Sequence, residues 1–367
     1  MNAQQTTPII KKESKNKIKV EFERTPLKER LKAKFVNAAF VGSIIWYIIR
    51  LALLLGIAYI ILFPFYTKIA GSFMGPSDFT DVTVMLIPKD FSLDMYKYIL
   101  LENHYFEAFG NTLFLAASTA LVQTLTCSLI AYGLAKFKFK GSSLVFAAVV
   151  FTMVVPHSAL QMSLFMNFRY FDIFGIVKLL SGHVFEGLQI FDPDSTNLFI
   201  KTAATDGALN LMNTNWPLMI LSFTGLAFKN GLFIFLLRQF FRGVPDELEE
   251  SAYIDGSGTL RTFLRIILPL SVPMMITVFL FAFSWQWTDD FYTTLFFTDN
   301  KTVLMSNIFN TIPKTLSQQH SGYAGWSLYS SAIRNTSGLL IMIPLVIMFL
   351  FCQKFLVQGI ERSGITG

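Results

Sequence analysis

Long runs of apolar residues are the feature that most constrains how this chain folds. A helix needs about 20 apolar residues to cross the roughly 30 Å hydrocarbon core of a bilayer. Apolar residues make up 53% of the 367 residues and charged residues only 15%, too few polar groups to cover a soluble domain of this size. The sequence therefore predicts an all-α membrane protein with six transmembrane helices, at about residues 44–66, 110–135, 142–167, 216–237, 272–288 and 335–353.

Two of the predicted helices contain a proline in their interior. Pro156 lies inside the third predicted helix and Pro344 inside the sixth. A proline removes one backbone donor and bends a helix, and neighbouring helices in a membrane tolerate this. Both prolines are interpreted as kinks and not as helix boundaries.

Lys and Arg are distributed unevenly between the segments that connect the apolar runs. Most of the 30 basic residues lie before residue 44, in the turn at 136–140, between the fourth and fifth runs, and at the end of the chain. Basic loops remain on the cytoplasmic side, so both termini are predicted to be cytoplasmic. Residues 1–43 are interpreted as a basic cytoplasmic tail near anionic lipid headgroups, and residues 44–367 as the transmembrane domain. The net charge of +6 then requires no nucleic-acid partner.

The sequence contains no motif that indicates catalysis or cofactor binding. GxSxG, HExxH and the Walker-type GxxxxGK[ST] are missing, and the four histidines show no metal-ligand spacing. We therefore predict no catalytic, cofactor-binding or metal-binding residues in this chain. If nucleotide energy drives the protein, another subunit must bind the nucleotide.

The most informative segment is the polar stretch 243–269 between the fourth and fifth runs. Pro245 suits the first position of a helix, and Asp246 and Glu247 favour its positive end. Gly256 and Gly258 then end that helix, since glycine tolerates left-handed backbone. A second short helix is predicted to present one apolar face formed by Leu260, Phe263, Leu264 and Ile267. Without further information, an ordinary surface-lying loop helix is the preferred interpretation of this segment.

The residues of this segment resemble the EAA loop of the permease subunits of binding-protein-dependent ABC importers. The similarity rests on Glu250-Ser251-Ala252, Asp255-Gly256, Phe263, Ile267, Pro269 and Pro273, with Ser251 where the family has alanine. Further similarity to the carbohydrate-uptake branch lies in Asn111-Thr112-Leu113, 131–136, 152–156 and 235–241. The end of the chain, 358–367, resembles the maltose-type second permease.

This resemblance implies a type I importer permease fold and a multi-subunit machine in the plasma membrane of a prokaryote. Two permease subunits, expected to differ, form the pathway for a carbohydrate. Two ATPase subunits hold ATP and Mg²⁺, and an extracytoplasmic solute-binding protein delivers the substrate. The coupling loop 243–269 is expected to dock on an ATPase subunit through its first helix, predicted at Glu247–Ile254, and the following turn. The residues concerned are Leu248, Glu250, Ser251, Ala252, Asp255 and Gly256.

A second group of residues is interpreted as a possible substrate pathway. Lys229 and Asn230 lie inside the fourth predicted helix, where an ionisable side chain is costly and usually faces protein or a watery cavity. Trp285 and Trp287 lie near the end of the fifth, and sugars stack on aromatic rings. Lys229 could instead extend toward the membrane surface, and the tryptophans could belong to an interfacial aromatic belt.

Two departures from the family bear on the substrate. Residues 285–291 resemble a Trp-Asn-Asp-Phe run but are out of register by one residue, and the outer insert 168–215 is longer than expected. A polyol or another small solute is the alternative cargo. An ion-driven secondary transporter predicts intramembrane acids and an internal repeat, and a membrane-embedded enzyme predicts clustered His, Cys or acids. The six runs show neither intramembrane acids nor an internal repeat clearly, and they contain no clustered His, Cys or acids.

Overall fold

The computed structural model describes residues 9–13, 17–21, 38–172, 203–205, 208–299 and 302–364. It divides into two compact units, 1–67 and 68–367. Four strands and fourteen helices are described and are named here in chain order: β1 Ile9–Glu13, β2 Lys17–Glu21, α1 Ala38–Gly71, α2 Asp94–Glu102, α3 Tyr105–Lys136, α4 Ser142–Val154, α5 Gln161–Arg169, β3 Ala203–Thr205, β4 Ala208–Asn210, α6 Trp216–Thr224, α7 Asn230–Arg242, α8 Glu247–Ile254, α9 Thr259–Leu270, α10 Val272–Trp287, α11 Phe291–Phe296, α12 Met305–Asn310, α13 Lys314–His320 and α14 Trp326–Gly364.

The first unit contains an antiparallel hairpin and most of α1. Strands β1 and β2 pair with Ile9 opposite Glu21 and Glu13 opposite Lys17. The second small hairpin, β3–β4, belongs to the second unit and lies within the predicted outer insert. The described chain is thus mainly helical, and the all-α prediction missed both hairpins. Most of the predicted basic tail and outer insert lies outside the described residues.

Three helices are long and apolar enough to cross a membrane. These segments are Gly42–Gly71, Tyr105–Lys136 and Trp326–Val357. Two further pairs of helices pass the same criterion together but are bent, by 98° between α4 and the His157–Arg169 segment and by 78° between α9 and α10. The described residues therefore contain three to five membrane-spanning elements, and the predicted count of six is not confirmed.

The break after α4 corrects the interpretation of Pro156 as a simple kink. Helix α4 ends at Val154, and a 3₁₀ turn at His157–Leu160 precedes α5. Proline disfavours helical backbone at the residue before it, and Val155 is accordingly extended, with ψ 120°. Pro344, by contrast, lies inside the continuous helix α14, so its interpretation as something other than a boundary is confirmed.

The predicted helix at 216–237 is also divided. Helix α6 ends at Gly225, which has φ +75° and donates its backbone N–H to the carbonyl oxygens of Leu221 and Ser222. Glycine adopts this left-handed conformation without a Cβ penalty, so it ends the helix in a typical C-cap. The chain then turns again at Lys229, with φ +65°, before α7 begins. Apolar residues continue across the break, which is why composition alone did not reveal it.

Helix α3 lies at the centre of the second unit and packs against α6, α7 and α10, and α10 packs in turn against α14. Small side chains on α3 make this packing close. Ala116, Ala120, Cys127 and Ala131 are fully buried and recur about every four or seven residues, which places them on one helix face. Small residues let helix backbones approach in a membrane. This face positions the two candidate sites, one at each end of α7.

Candidate functional site

The first candidate site is α8, whose limits agree with the helix predicted at Glu247–Ile254. The carbonyl oxygen of Asp246 accepts hydrogen bonds from the backbone N–H groups of Glu249 and Glu250, both at 3.0 Å. Three glutamates in the first turn favour the positive end of the helix. At the other end Gly256 has φ +79°, as predicted for a left-handed stop. Gly258 has φ −77° and instead begins α9.

The residues predicted to dock on an ATPase subunit do not all share one face of α8. Leu248, Glu250 and Ser251 are exposed, as are Asp255 and Gly256 in the turn that follows. Ala252 is only 5% exposed and faces the protein's own interior. The structure therefore gives Ala252 an internal packing position, while the other five remain available to a partner.

The buried face of α8 is tied to the end of α3 by a polar cluster that the sequence interpretation missed. The Lys136 ammonium donates to the Val244 carbonyl oxygen and to Asp246 Oδ1, both at 2.6 Å. It also lies 3.5 Å from Glu249 Oε1, and the Tyr132 hydroxyl lies 3.2 Å from Glu249 Oε2. The hydrogen bond from Lys136 holds the pKa of the Asp246 carboxyl below its ordinary value. We call these residues (Tyr132, Lys136, Val244, Asp246 and Glu249) the α3–α8 clamp.

The sequence carried only part of the signal for the clamp, because the burial of Ala252 is known from the structure. Glu249 and Ala252 are three residues apart and so share one helix face, and the buried Ala252 marks that face as internal. A carboxylate on an internal face needs a cation, and Lys136 is the last residue of α3. Which of several nearby cations occupies that position depends on the three-dimensional packing of α3 against the loop.

The predicted apolar face of α9 is only half correct. Phe263 and Ile267 are buried, whereas Leu260 and Leu264 are 64% and 51% exposed. A π-helical turn covers Phe263–Ile267 and shifts the residues from regular 3.6 spacing. It ends two residues before Pro269, which has no N–H for the carbonyl oxygen four residues earlier.

The second candidate site is the break between α6 and α7, which contains Lys229. The Lys229 ammonium lies 4.6 Å from the centre of the Phe228 ring and 5.4 Å from that of Trp285. Beside it is a pocket of about 320 Å³, lined by residues 152–157, 225–229 and 231–232. His157, which follows Pro156, lies edge-on to Phe228 at 4.7 Å. The two breaks in α4–α5 and α6–α7 thus meet at one pocket.

The remaining predicted pathway residues are placed differently from one another. Trp285 is partly buried and stacks on Phe233 at 5.8 Å. Asn230 is 1% exposed, and neither polar atom of its side-chain amide has a partner in the part of the chain described here. Trp287 is 1% exposed, and its indole N–H donates to the Ile341 carbonyl oxygen at 3.0 Å. In this structure Trp287 belongs to the packed core between α10 and α14, away from the Lys229 pocket.

A second, smaller cavity also has Phe228 in its lining. It has a volume of about 10 Å³, about the size of one water molecule, and is lined by Gln123, Gln286 and Asp289 together with the rings of Phe228, Trp285 and Tyr292. Gln123 Oε1 and Gln286 Nε2 are buried without a hydrogen-bond partner among the described residues. Sequence reasoning missed both glutamines, because a single polar residue in an apolar run is usually a packing residue.

The long apolar helices are those of a membrane protein. Residues 125–362 match the model of the family described as "Binding-protein-dependent transport system inner membrane component". The chain belongs to this family. It is therefore a multi-pass permease subunit and not an enzyme, as the sequence predicted.

Individual relatives agree with this assignment. The chain is 26% identical over 322 residues to Protein LplC of Bacillus subtilis, covering 85% of this chain and 92% of that one. It is 29% identical over 282 residues to the alpha-glucoside transport system permease protein AglG of Rhizobium meliloti, covering 76% and 62%. It is 25% identical over 314 residues to the arabinooligosaccharides transport system permease protein AraQ of Halalkalibacterium halodurans, covering 85% and 93%.

A solved structure supports the fold. The chain superposes with a TM-score of 0.61 on a chain of a bacterial ABC transporter involved in the import of the acidic polysaccharide alginate, with 17% identity, covering 85% of this chain and 97% of that one. At this identity the similarity concerns the fold alone. The family description itself implies that the subunit works with a solute-binding protein and an ATPase in a prokaryotic plasma membrane.

Proposed function

We propose that this chain is the permease subunit of an ATP-driven importer for a carbohydrate, an oligosaccharide in particular. The names of its relatives support this substrate class, since they include alpha-glucoside, arabinooligosaccharide and melibiose/raffinose/stachyose permeases. In the proposed assembly this subunit forms half of the pathway and a different permease subunit forms the other half. Two ATPase subunits bind ATP and Mg²⁺, and an extracytoplasmic binding protein delivers the saccharide.

The observation that carries the proposal is the double-faced character of α8. One face is joined to α3 through the clamp, in which Lys136 contacts Val244, Asp246 and Glu249. The other face presents Leu248 and Glu250, both exposed. A helix that holds a membrane-spanning helix on one side and is free on the other suits the transfer of movement from a partner protein.

The proposed coupling is alternating access driven by the ATPase dimer. When that dimer closes on ATP, it displaces α8, and α3 follows because Lys136 joins the two helices. The importer then changes from its inward-open to its outward-open state. Both the nucleotide and the binding protein shift the equilibrium between these two states. The subunit itself performs no covalent step.

The distribution of charge supports the proposed orientation, with α8 and both termini on the cytoplasmic side. Lys136, Lys138 and Lys140 lie at the end of α3 that contacts α8. Arg238 and Arg242 belong to the end of α7 that lies beside this end of α3. The Arg238 guanidinium donates to the Leu134 carbonyl oxygen at 3.2 Å. Such a concentration of basic side chains is typical of the cytoplasmic face.

Reconstitution of the complete importer tests this proposal. Uptake of a labelled alpha-linked oligosaccharide into proteoliposomes is expected to require the ATPase subunit and ATP, and to be insensitive to an ion gradient. Glu250→Lys and Gly256→Pro are expected to abolish uptake while ATP hydrolysis continues. Glu247→Lys, an exposed change at the first position of the same helix, serves as the matched control. Full uptake with either of the first two variants would contradict the docking role of α8.

A further inference from the structure

The pocket beside α6 and α7 contains a positive charge without an anionic partner. Among the described residues, the ion pairs involve Lys89, His104 and Lys136, and none involves Lys229. The Lys229 ammonium contacts the faces of Phe228 and Trp285 instead. Lys229 lies in the break between α6 and α7, and its side chain is partly buried. Cation–π contacts attract the ammonium without neutralising its charge.

Asp289 does not neutralise the charge of Lys229. It lines the small cavity that also has Phe228 in its lining. Its carboxylate instead accepts hydrogen bonds from the Thr293 backbone N–H at 2.9 Å and from the Thr293 hydroxyl at 3.2 Å. Asp289 is therefore held at the start of α11, and no ion pair among the described residues joins it to Lys229.

The surroundings of Lys229 suit a sugar ring better than a simple inorganic anion. Phe228 lines both the 320 Å³ pocket and the small cavity, and Trp285 lines the latter. Aromatic faces of this kind stack on sugar rings.

We propose that this pocket selects an acidic saccharide, one that carries a uronate carboxylate. The carboxylate pairs with the Lys229 ammonium, and the saccharide occupies the 320 Å³ pocket, where its ring packs against Phe228. A charge-assisted bond to a carboxylate is about twice as strong as one between neutral groups. A neutral saccharide offers only hydroxyls and leaves the lysine charge uncompensated. This inference rests on the proposed function, since it names the class of carbohydrate that the importer accepts.

Direct binding to the assembled importer in nanodiscs, without the binding protein, tests the preference of the membrane subunits themselves. The probes are trigalacturonate and the neutral α-1,4-linked galactotriose, which differ only in their carboxyl groups. Trigalacturonate is expected to bind at least about tenfold more tightly, the effect of one additional charge-assisted contact. Lys229→Met is expected to remove this difference and Lys229→Arg to retain it. Lys97→Met is the matched control, because the Lys97 ammonium also lies over a ring, that of Tyr98 at 5.3 Å.

A charge-rescue experiment separates charge from side-chain shape. In a Cys352→Ser background, Lys229→Cys is modified with a methanethiosulfonate that adds an ethylammonium or, in parallel, an ethylsulfonate. The ammonium adduct is expected to restore the preference for trigalacturonate, and the sulfonate adduct to leave it absent.

Three results would overturn the inference: equal affinity for the two probes, a preference that survives in Lys229→Met, or no measurable trigalacturonate binding. ATP-dependent uptake of galactotriose alongside any of these would leave the importer function intact and refute only the selection of acids. Loss of ATP-dependent uptake for every saccharide would instead refute the proposed function.

Discussion

Replacement of Lys136 by methionine tests whether the α3–α8 clamp transmits movement. The contact with Asp246 contributes little, because the Asp246 side chain is 78% exposed and surface ion pairs are worth about 0–1 kcal/mol. Glu249 is different, since its side chain is only 9% exposed and would retain just the Tyr132 hydroxyl. Removal of one partner of a buried pair costs about 3–5 kcal/mol. Because the Lys136 and Glu249 atoms are 3.5 Å apart, the cost lies at the lower end of this range, about 3 kcal/mol. A loss of this size lowers the equilibrium constant for docking of α8 on α3 about a hundredfold.

The assay for this variant is the amount of saccharide transported per ATP hydrolysed in proteoliposomes. Lys136→Met is expected to lower this ratio about tenfold or more, while ATP hydrolysis persists because the nucleotide sites lie on other subunits. Lys138→Met is the matched control, since Lys138 is exposed in the same turn. Addition of Glu249→Gln to Lys136→Met is expected to recover part of the loss, because it removes the unpaired buried charge. An unchanged ratio in Lys136→Met would refute the role of the clamp.

Three further changes give distinct expectations. Gly256→Ala is expected to destabilise the turn after α8 by about 1–2 kcal/mol through its φ of +79° alone, since nothing lies within 4 Å of the added Cβ. Gly258→Ala is the control, because this position is also uncrowded but has a negative φ, and it should preserve coupling. Equal uptake by both variants would contradict this expectation. Trp287→Ala is expected to lower the free energy of unfolding by about 3–5 kcal/mol, measured by thermal denaturation in detergent, and a shift of Tm within error would argue against its core position. The Asp81 carboxyl accepts a hydrogen bond from the Lys89 ammonium, which lowers its pKa; the contact is therefore retained at neutral pH and lost as the pH falls through that lowered pKa, and Lys89→Gln should raise the pKa of Asp81 in an NMR titration.

The sequence predicted the coupling segment more accurately than it predicted the membrane helices. Helix α8 has the predicted limits because its signals are local: acids in its first turn and a glycine that adopts left-handed backbone. The divided segment 216–237 has the same kind of signal in Gly225. Apolar residues surround that glycine on both sides, so hydropathy indicated one continuous helix.

Side-chain direction was the main property that the sequence could not supply. A membrane helix is apolar both where it contacts lipid and where it contacts other helices, so hydropathy did not separate the buried Trp287 from the pocket-side Trp285. The clamp depends on contacts between residues more than 100 positions apart, such as Lys136 and Asp246. Lys229 was recognisable because a charge inside an apolar run is rare, but its aromatic neighbours depend on how α6, α7 and α10 pack.

The 78° bend between α9 and α10 makes these helices two arms of unequal length that meet at Ser271. At 1.5 Å per residue, α9 is about 18 Å long and α10 about 24 Å. A rotation of both arms about Ser271 therefore moves the far end of α10 about one third farther than the far end of α9. Shortening α9 by one turn would raise this ratio, and the far end of α10 would move farther for the same displacement at the loop.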